Sequence, residues 1–231
     1  MGETRGGRDT KRKLARVGMR LLATHGYHVT KVSDIVSECG LTQATFYLYF
    51  KTKLQFALSL IAEGREAMLR AVNRGYREAP AGEDAMIGNS QQWLQELLVF
   101  ASANRPFMAI LLARGHGADP EIDRAIAATR EAVYAGLRKN IARATELGML
   151  PKVGNVNLRA AFVHRLIEGT VEWWLFGHGY DLDHKPPVTA RTLAAELVRF
   201  EFFGLRAGGS AGRVSRKTAS QAMARPTKSS T

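Results

Sequence analysis

The run from Thr30 to Phe50, TKVSDIVSECGLTQATFYLYF, constrains this chain more than any other stretch. Thr30 has the chemistry of a helix N-cap, and Val32, Ile35 and Val36 follow it at the spacing of one helical face. Gly40 stands where a helix ends in a left-handed residue, a conformation glycine adopts without a Cβ penalty. Thr42 offers a second N-cap, and Leu41 and Phe46 occupy the N′ and N4 positions of a hydrophobic staple. Helix, short glycine turn and helix at this spacing is the helix-turn-helix plan.

What the second helix leaves outside is informative. With Phe46 and Phe50 turned to a core, the other faces carry Gln43, Ala44, Thr45, Tyr47, Leu48 and Tyr49. Thr, Gln and Tyr hydrogen-bond base edges or phosphates, and Ala or Leu touches a thymine methyl. Lys51 and Lys53 follow at the start of the next helix, where backbone N–H groups and a positive dipole end favour phosphate. The competing reading is an ordinary amphipathic helix pair, but two tyrosines and two lysines beside a capped turn fit poorly in a core.

These residues resemble the TetR-type bacterial transcription regulators. The matching run is His25-Gly26-Tyr27, Thr30, Val32-Ser-Asp-Ile35, Gly40-Leu-Thr42, and Thr45-Phe-Tyr-Leu-Tyr-Phe50-Lys-Thr-Lys53-Leu54. It covers residues 9 to 56, and the rest of the chain has no comparable motif. The resemblance implies a three-helix DNA-binding head on an all-helical, ligand-sensing, dimerising body. In that family, residues at the positions of Thr30, Thr42, Gln43, Thr45, Tyr47, Tyr49 and Lys53 commonly touch DNA. Many members carry Gly or Pro where this chain has Ala44, and a polar or larger aromatic residue where it has Leu48, so base preference does not transfer. The expected DNA-contacting set is Thr30, Lys31, Thr42, Gln43, Ala44, Thr45, Tyr47, Leu48, Tyr49, Lys51 and Lys53.

Charge supports a polyanion partner by its location. Residues 1–53 hold ten Lys/Arg against four acids, and residues 207–231 hold five Lys/Arg and no acid, while the middle is close to neutral within a total of +12. The length of 231 residues suffices for a head and a larger core. No run of 18 apolar residues and no apolar N-terminus is visible, so no membrane span or secretory leader is expected, and a cytoplasmic location follows. The single cysteine, Cys39, excludes an intrachain disulfide framework.

Taken in order, residues 1–8 read as a disordered Gly/Arg arm and 9–56 as the head. The first helix runs from Asp9 to about Thr24, ended by Gly26. Residues 57–206 form the body, with helices at about 54–77, 83–104, 106–112, 120–147, 156–177 and 188–205, and 207–231 reads as a disordered basic tail. Asp119 before Pro120 is an N-cap with an N1 proline. The fold class is all-α, with about nine helices.

None of the six histidines sits in a compact ligand motif, and no phosphate loop, nucleophile elbow or CxxC occurs, so no metal, cofactor or enzymatic activity is expected. In the family the body helices surround a small-molecule cavity. The residues expected to line it are Trp93, Phe100, Phe107, His116, Tyr134, Glu168 and Trp174. Adjacent Trp173 and Trp174 cannot both face one core, and Trp174 is assigned to the cavity. The last two helices are apolar on more than one face, which a second subunit can cover; in the family they pair across a two-fold axis. The reading is a homodimeric regulator, a repressor on a palindromic double-stranded operator, released by a largely apolar small molecule. The alternative is an architectural DNA-binding dimer without effector.

Overall fold

The computed structural model describes residues 5–74, 82–112, 119–152 and 154–204. Nine helices occur among them: α1 (Arg5–Val29), α2 (Val32–Glu38), α3 (Gln43–Tyr49), α4 (Lys53–Val72), α5 (Glu83–Ala103), α6 (Arg105–Leu112), α7 (Pro120–Glu146), α8 (Val156–Phe176) and α9 (Ala190–Phe203), with no strand in the described residues. The all-α expectation holds.

Helix starts follow side-chain chemistry. The hydroxyls of Thr42, Thr52 and Thr189 accept from Thr45 N, Gln55 N and Thr192 N, and the carboxylate of Asp119 accepts from Glu121 N. Gly40 has φ 62°, as a left-handed helix end requires. Gly26, at φ 79° and ψ 168°, breaks α1 where the sequence places a stop.

Three boundaries depart from the sequence reading. α1 opens at Arg5, four residues before Asp9, and the Thr10 hydroxyl donates to the Gly6 carbonyl inside this added turn. The N-cap of α2 is Lys31, whose backbone N–H donates to the Asp34 carboxylate at 2.9 Å, and not Thr30. α4 ends at Val72, short of residue 77, because its last carbonyls meet side chains from the body: Trp93 Nε1 donates to Ala71 O and Val72 O, and Asn140 Nδ2 to Val72 O. Residues 75–81, and the tail from 205 onward, lie outside the described residues.

Two apolar clusters form the interior. The head cluster joins Leu14, Val17 and Leu21 of α1, Ile35 and Val36 of α2, Phe46 of α3, Phe50, and Phe56 and Leu60 of α4, together with Ile122 from the start of α7. The body cluster gathers α4 to α9, and Met19 and Ile126 pack against both. α6 packs on α1, α5 on α9, and α7 on α4 and α8. Arg105 ties the end of α8 and the α8–α9 connection to α6 by donating to the carbonyls of Leu175, Leu182 and His184 at 2.6–2.9 Å.

Candidate nucleic-acid interface and body cavities

α3 is held from beneath and open above. Phe46 is fully buried and packs edge-on against Phe56, and Phe50 and Phe56 rings lie 4.7 Å apart. This aromatic stack fixes the roll of α3, so its remaining faces are set. Thr42, Gln43 and Ala44 are exposed, Tyr47 is 51% exposed and Leu48 82% exposed. The exposed leucine and tyrosine lie side by side on the outer face of α3. Lys31 and Lys51 flank it and are exposed. Thr45 and Tyr49 are half-buried, and the Thr45 hydroxyl lies 3.0 Å from that of Thr42.

Two of the expected contact residues are placed differently. Thr30 is 2% exposed, and its hydroxyl sits 2.8 Å from Gly26 O and 3.2 Å from Leu21 O. It locks the α1–α2 corner from within, which is why a hydroxyl and not an aliphatic side chain occupies the position. Lys53 donates from Nζ to Tyr27 O and Thr30 O at 2.8 and 3.0 Å, and its ammonium lies 4.2 Å from the centre of the Tyr27 ring. Two of its three donors thus close the end of α1, and only the third is left for a phosphate. Behind the interface, Arg20 pairs with Glu38 and binds α1 to α2. Cys39 is buried, and that burial pushes its thiol above the ordinary range, the reverse of an activated cysteine.

Two cavities among the described residues of the body bear on the expected ligand contacts. The inner one, about 40 Å³, lies among α4, α5, α6, α7 and α8. Its walls are Met68, Leu97, Met108, Leu111, Val133 and other apolar side chains, with Arg130, His164 and Glu168 as the polar members. Arg130 Nε donates to Leu111 O, and Glu168 pairs with Arg165. Burial, foremost, lowers the His164 imidazole below its usual value. The outer cavity, about 550 Å³, lies between α5, α7 and α9.

The seven residues assigned to one pocket do not converge. Glu168 lines the inner cavity and Trp93 the outer. Phe107 is buried against Gly64, where its ring lies within van der Waals contact of the α4 backbone. Phe100 borders a shallow depression over α4 and α5. Tyr134 donates to Asn157 O and touches the His164 ring edge-on, outside the lining itself. Trp174 is 2% exposed in the body core, its Nε1 donating to Val188 O; the outward tryptophan is Trp173, at 39%. His116 lies outside the described residues. Sequence reasoning missed Arg130 as a cavity residue. The signal was present, since Ile126, Arg130, Val133 and Leu137 share one face of α7.

Comparison with known proteins bears on the head first. Residues 14–60 match the family model described as bacterial regulatory proteins, tetR family. Over that stretch the head matches the tetR-family domain. The residues that carry the resemblance, from His25 to Leu54, all fall inside the matched stretch. Within Bacillus subtilis (strain 168), the chain is 37% identical over 51 residues to the uncharacterized HTH-type transcriptional regulator YerO, covering 22% of this chain and 18% of that protein. It is 28% identical over 68 residues to the fatty acid metabolism regulator protein, covering 29% of this chain and 35% of that one. The chain thus aligns with about a third or less of the length of these curated relatives.

Solved structures extend the likeness to the body as fold. The crystal structure of the transcriptional regulator FadR from Bacillus subtilis in complex with stearoyl-CoA superposes with TM-score 0.65 at 16% identity, over 84% of this chain and 98% of that one. The MbdR regulator from Azoarcus sp. CIB gives 0.64 at 21% identity, over 85% and 98%. At these identities the likeness is one of fold, and it spans head and body together. Among the described residues, no helix is long and apolar enough to cross a membrane.

Proposed function

We propose that the protein is a DNA-binding transcription regulator that acts as a homodimer on a palindromic operator and releases it when a small apolar effector enters the body. The observation that carries this reading is the surface of α3: Gln43, Ala44, Tyr47 and Leu48 exposed together on a helix whose orientation an aromatic core fixes, with Lys31 and Lys51 beside them. Thr42, Gln43, Ala44, Thr45, Tyr47 and Leu48 read base edges, while Lys31, Tyr49, Lys51 and the free donor of Lys53 meet phosphates. Thr30 acts from inside, holding the corner that sets the angle of α2 to α1.

Dimerisation is supported by apolar side chains left outside on the last two helices. Leu158, Phe162 and Trp173 lie along one outward face of α8, and Phe200 and Phe203 on α9. Phe162 is 66% exposed, an arrangement that a second copy of the chain would cover. Two heads then meet successive major grooves about 34–36 Å apart.

The effector reading rests on the inner cavity. Its lining is almost wholly apolar, and it is far too small as it stands for anything beyond water-sized guests. A ligand must therefore push α4, α6 or α8 apart, which couples filling to the head, because α4 enters the head cluster and α6 packs on α1. The fatty acid regulators among the similar proteins support an acyl chain as the guest, with Arg130 and His164 near its polar end. A repressor role and a cytoplasmic location belong to the same reading.

The test is fluorescence anisotropy of the full chain against DNA from its own upstream region and a scrambled control, across a salt series. A preference of about 10³-fold or more for the native fragment is expected, with release by a long-chain acyl-CoA. Equal binding to both DNAs and to genomic fragments, lost together as salt rises, would replace this reading with the architectural one.

A further inference from the structure

The outer cavity has a chemistry of its own. It shares only Leu137 with the inner one, so the two have almost wholly different linings. Its volume of about 550 Å³ falls within the range that small-molecule sites occupy. Trp93 and Phe202 provide aromatic surface, and Met86 and Met149 adaptable thioether surface.

Charge in this cavity is unbalanced in one direction. Three charged side chains line it: Arg74, Glu96 and Glu201. Arg74 and Glu96 form an ion pair with each other. Glu201 has neither a hydrogen-bond nor an ion-pair partner among the described residues. Glu201 is exposed overall, on the last turn of α9 at the edge of the cavity, and partial desolvation there pushes its carboxyl up to about 7. A carboxylate so placed gains from a counter-charge that brings its own apolar surface, and aromatic faces favour a cation over an anion.

We propose that the cavity between α5, α7 and α9 binds a small lipophilic cation, an amine or quaternary ammonium bearing an aromatic group, with Glu201 as its counter-ion and Trp93 and Phe202 as its apolar contacts. The site is separate from the effector cavity of the regulator reading and does not depend on it. An acyl chain belongs to the inner cavity by its apolar walls; a cation belongs here by its unpaired carboxyl. Leu137 is the one residue common to the two linings.

The experiment is isothermal titration of the full chain, without DNA, with benzyltriethylammonium and, separately, with 3-phenylpropanesulfonate as a size-matched anion. The cation is expected to bind one site per chain and to change tryptophan fluorescence, and the sulfonate is not. Glu201→Gln, which keeps the shape of the side chain, should weaken the cation by about tenfold, and Trp93→Leu by a smaller factor. No cation binding at millimolar concentration, equal binding of the sulfonate, or unchanged affinity in Glu201→Gln would each overturn the proposal. The comparison of the two probes on the unmodified chain stands even if a variant fails to fold. Because no DNA is present, failure here and failure of operator binding are separate results.

Discussion

Gly64 of α4 faces the ring of Phe107 on α6 so closely that a Cβ at Gly64 would meet ring carbons at 2.3 and 2.5 Å. Phe107 is buried and touches Phe100 as well, so the ring has no room to turn aside. Gly64→Ala therefore forces α4 and α6 apart. The clash should cost about 1–3 kcal/mol, against a gain of about 1 kcal/mol from replacing glycine inside a helix. Thermal unfolding should show a net loss of stability, and a stabilised variant would show that the packing yields easily.

Lys51 and Lys53 sit two residues apart and should behave differently. Lys51 is exposed, so Lys51→Ala should leave the melting temperature alone and reduce the salt slope of DNA binding by about one. Lys53 caps Tyr27 O and Thr30 O, so Lys53→Ala should lower stability by about 1–2 kcal/mol even without DNA. Identical behaviour of the two variants in both assays would contradict this division.

Leu48 contributes almost nothing to folding at its exposure, so Leu48→Asn should leave stability unchanged. Its effect should appear in base preference, as a change of about 1–3 kcal/mol at one position of each half-site, read by selection from randomised operators. A selected site identical to that of the unmodified chain would remove Leu48 from the reading surface.

Phe162 is the most exposed apolar side chain on the outer face of α8. Phe162→Glu should leave helix content intact by circular dichroism and shift the chain to a monomer by light scattering. Operator affinity should fall with it, because one head alone presents few base contacts. A dimer of undiminished stability would move the subunit interface elsewhere.

Glu201 also makes a prediction for stability against pH. Its carboxyl stands at about 7 in the folded chain against an ordinary 4.5, so between those values the folded state holds a proton that the unfolded chain has lost. Stability from this group is fully present below about pH 4.5 and is lost as pH rises through about 7. Because solvent reaches the carboxyl, screening keeps the change to about 1 kcal/mol, a few degrees in melting temperature. The difference in melting temperature between the unmodified chain and Glu201→Gln should grow from pH 5 to pH 8. Parallel curves would show that the group titrates normally.

The head was readable because its signals are local. Thr42, Gly40, Leu41 and Phe46 act within a few residues of each other, and the structure places each as spacing predicts. Body helices were readable for a related reason, since apolar periodicity and the Asp119–Pro120 start mark their limits. What failed depends on contacts across the chain. Thr30 is an interior clamp because Leu21 O, nine residues earlier, lies above it, and Lys53 is a cap because α4 returns to the end of α1. The exchange of roles between Trp173 and Trp174 depends on where Val188 O falls, fourteen residues beyond Trp174. The cavities were legible only in part: Glu168 and Trp93 each line one of them, as expected, but the grouping of Arg130, His164 and Glu168 depends on the packing of α7 on α8.

α6 turns Met108, Leu111 and Leu112 toward the inner cavity while packing against α1, and Ile110 reaches the head cluster. If filling that cavity weakens the grip on an operator by some factor, thermodynamic reciprocity requires the operator to weaken the ligand by the same factor. A dimer seated on DNA is then a poorer sensor than one free in solution, and the effector concentration that empties the operator exceeds the one that saturates unbound protein. For a chain built this way, the number of competing DNA sites becomes part of its sensitivity.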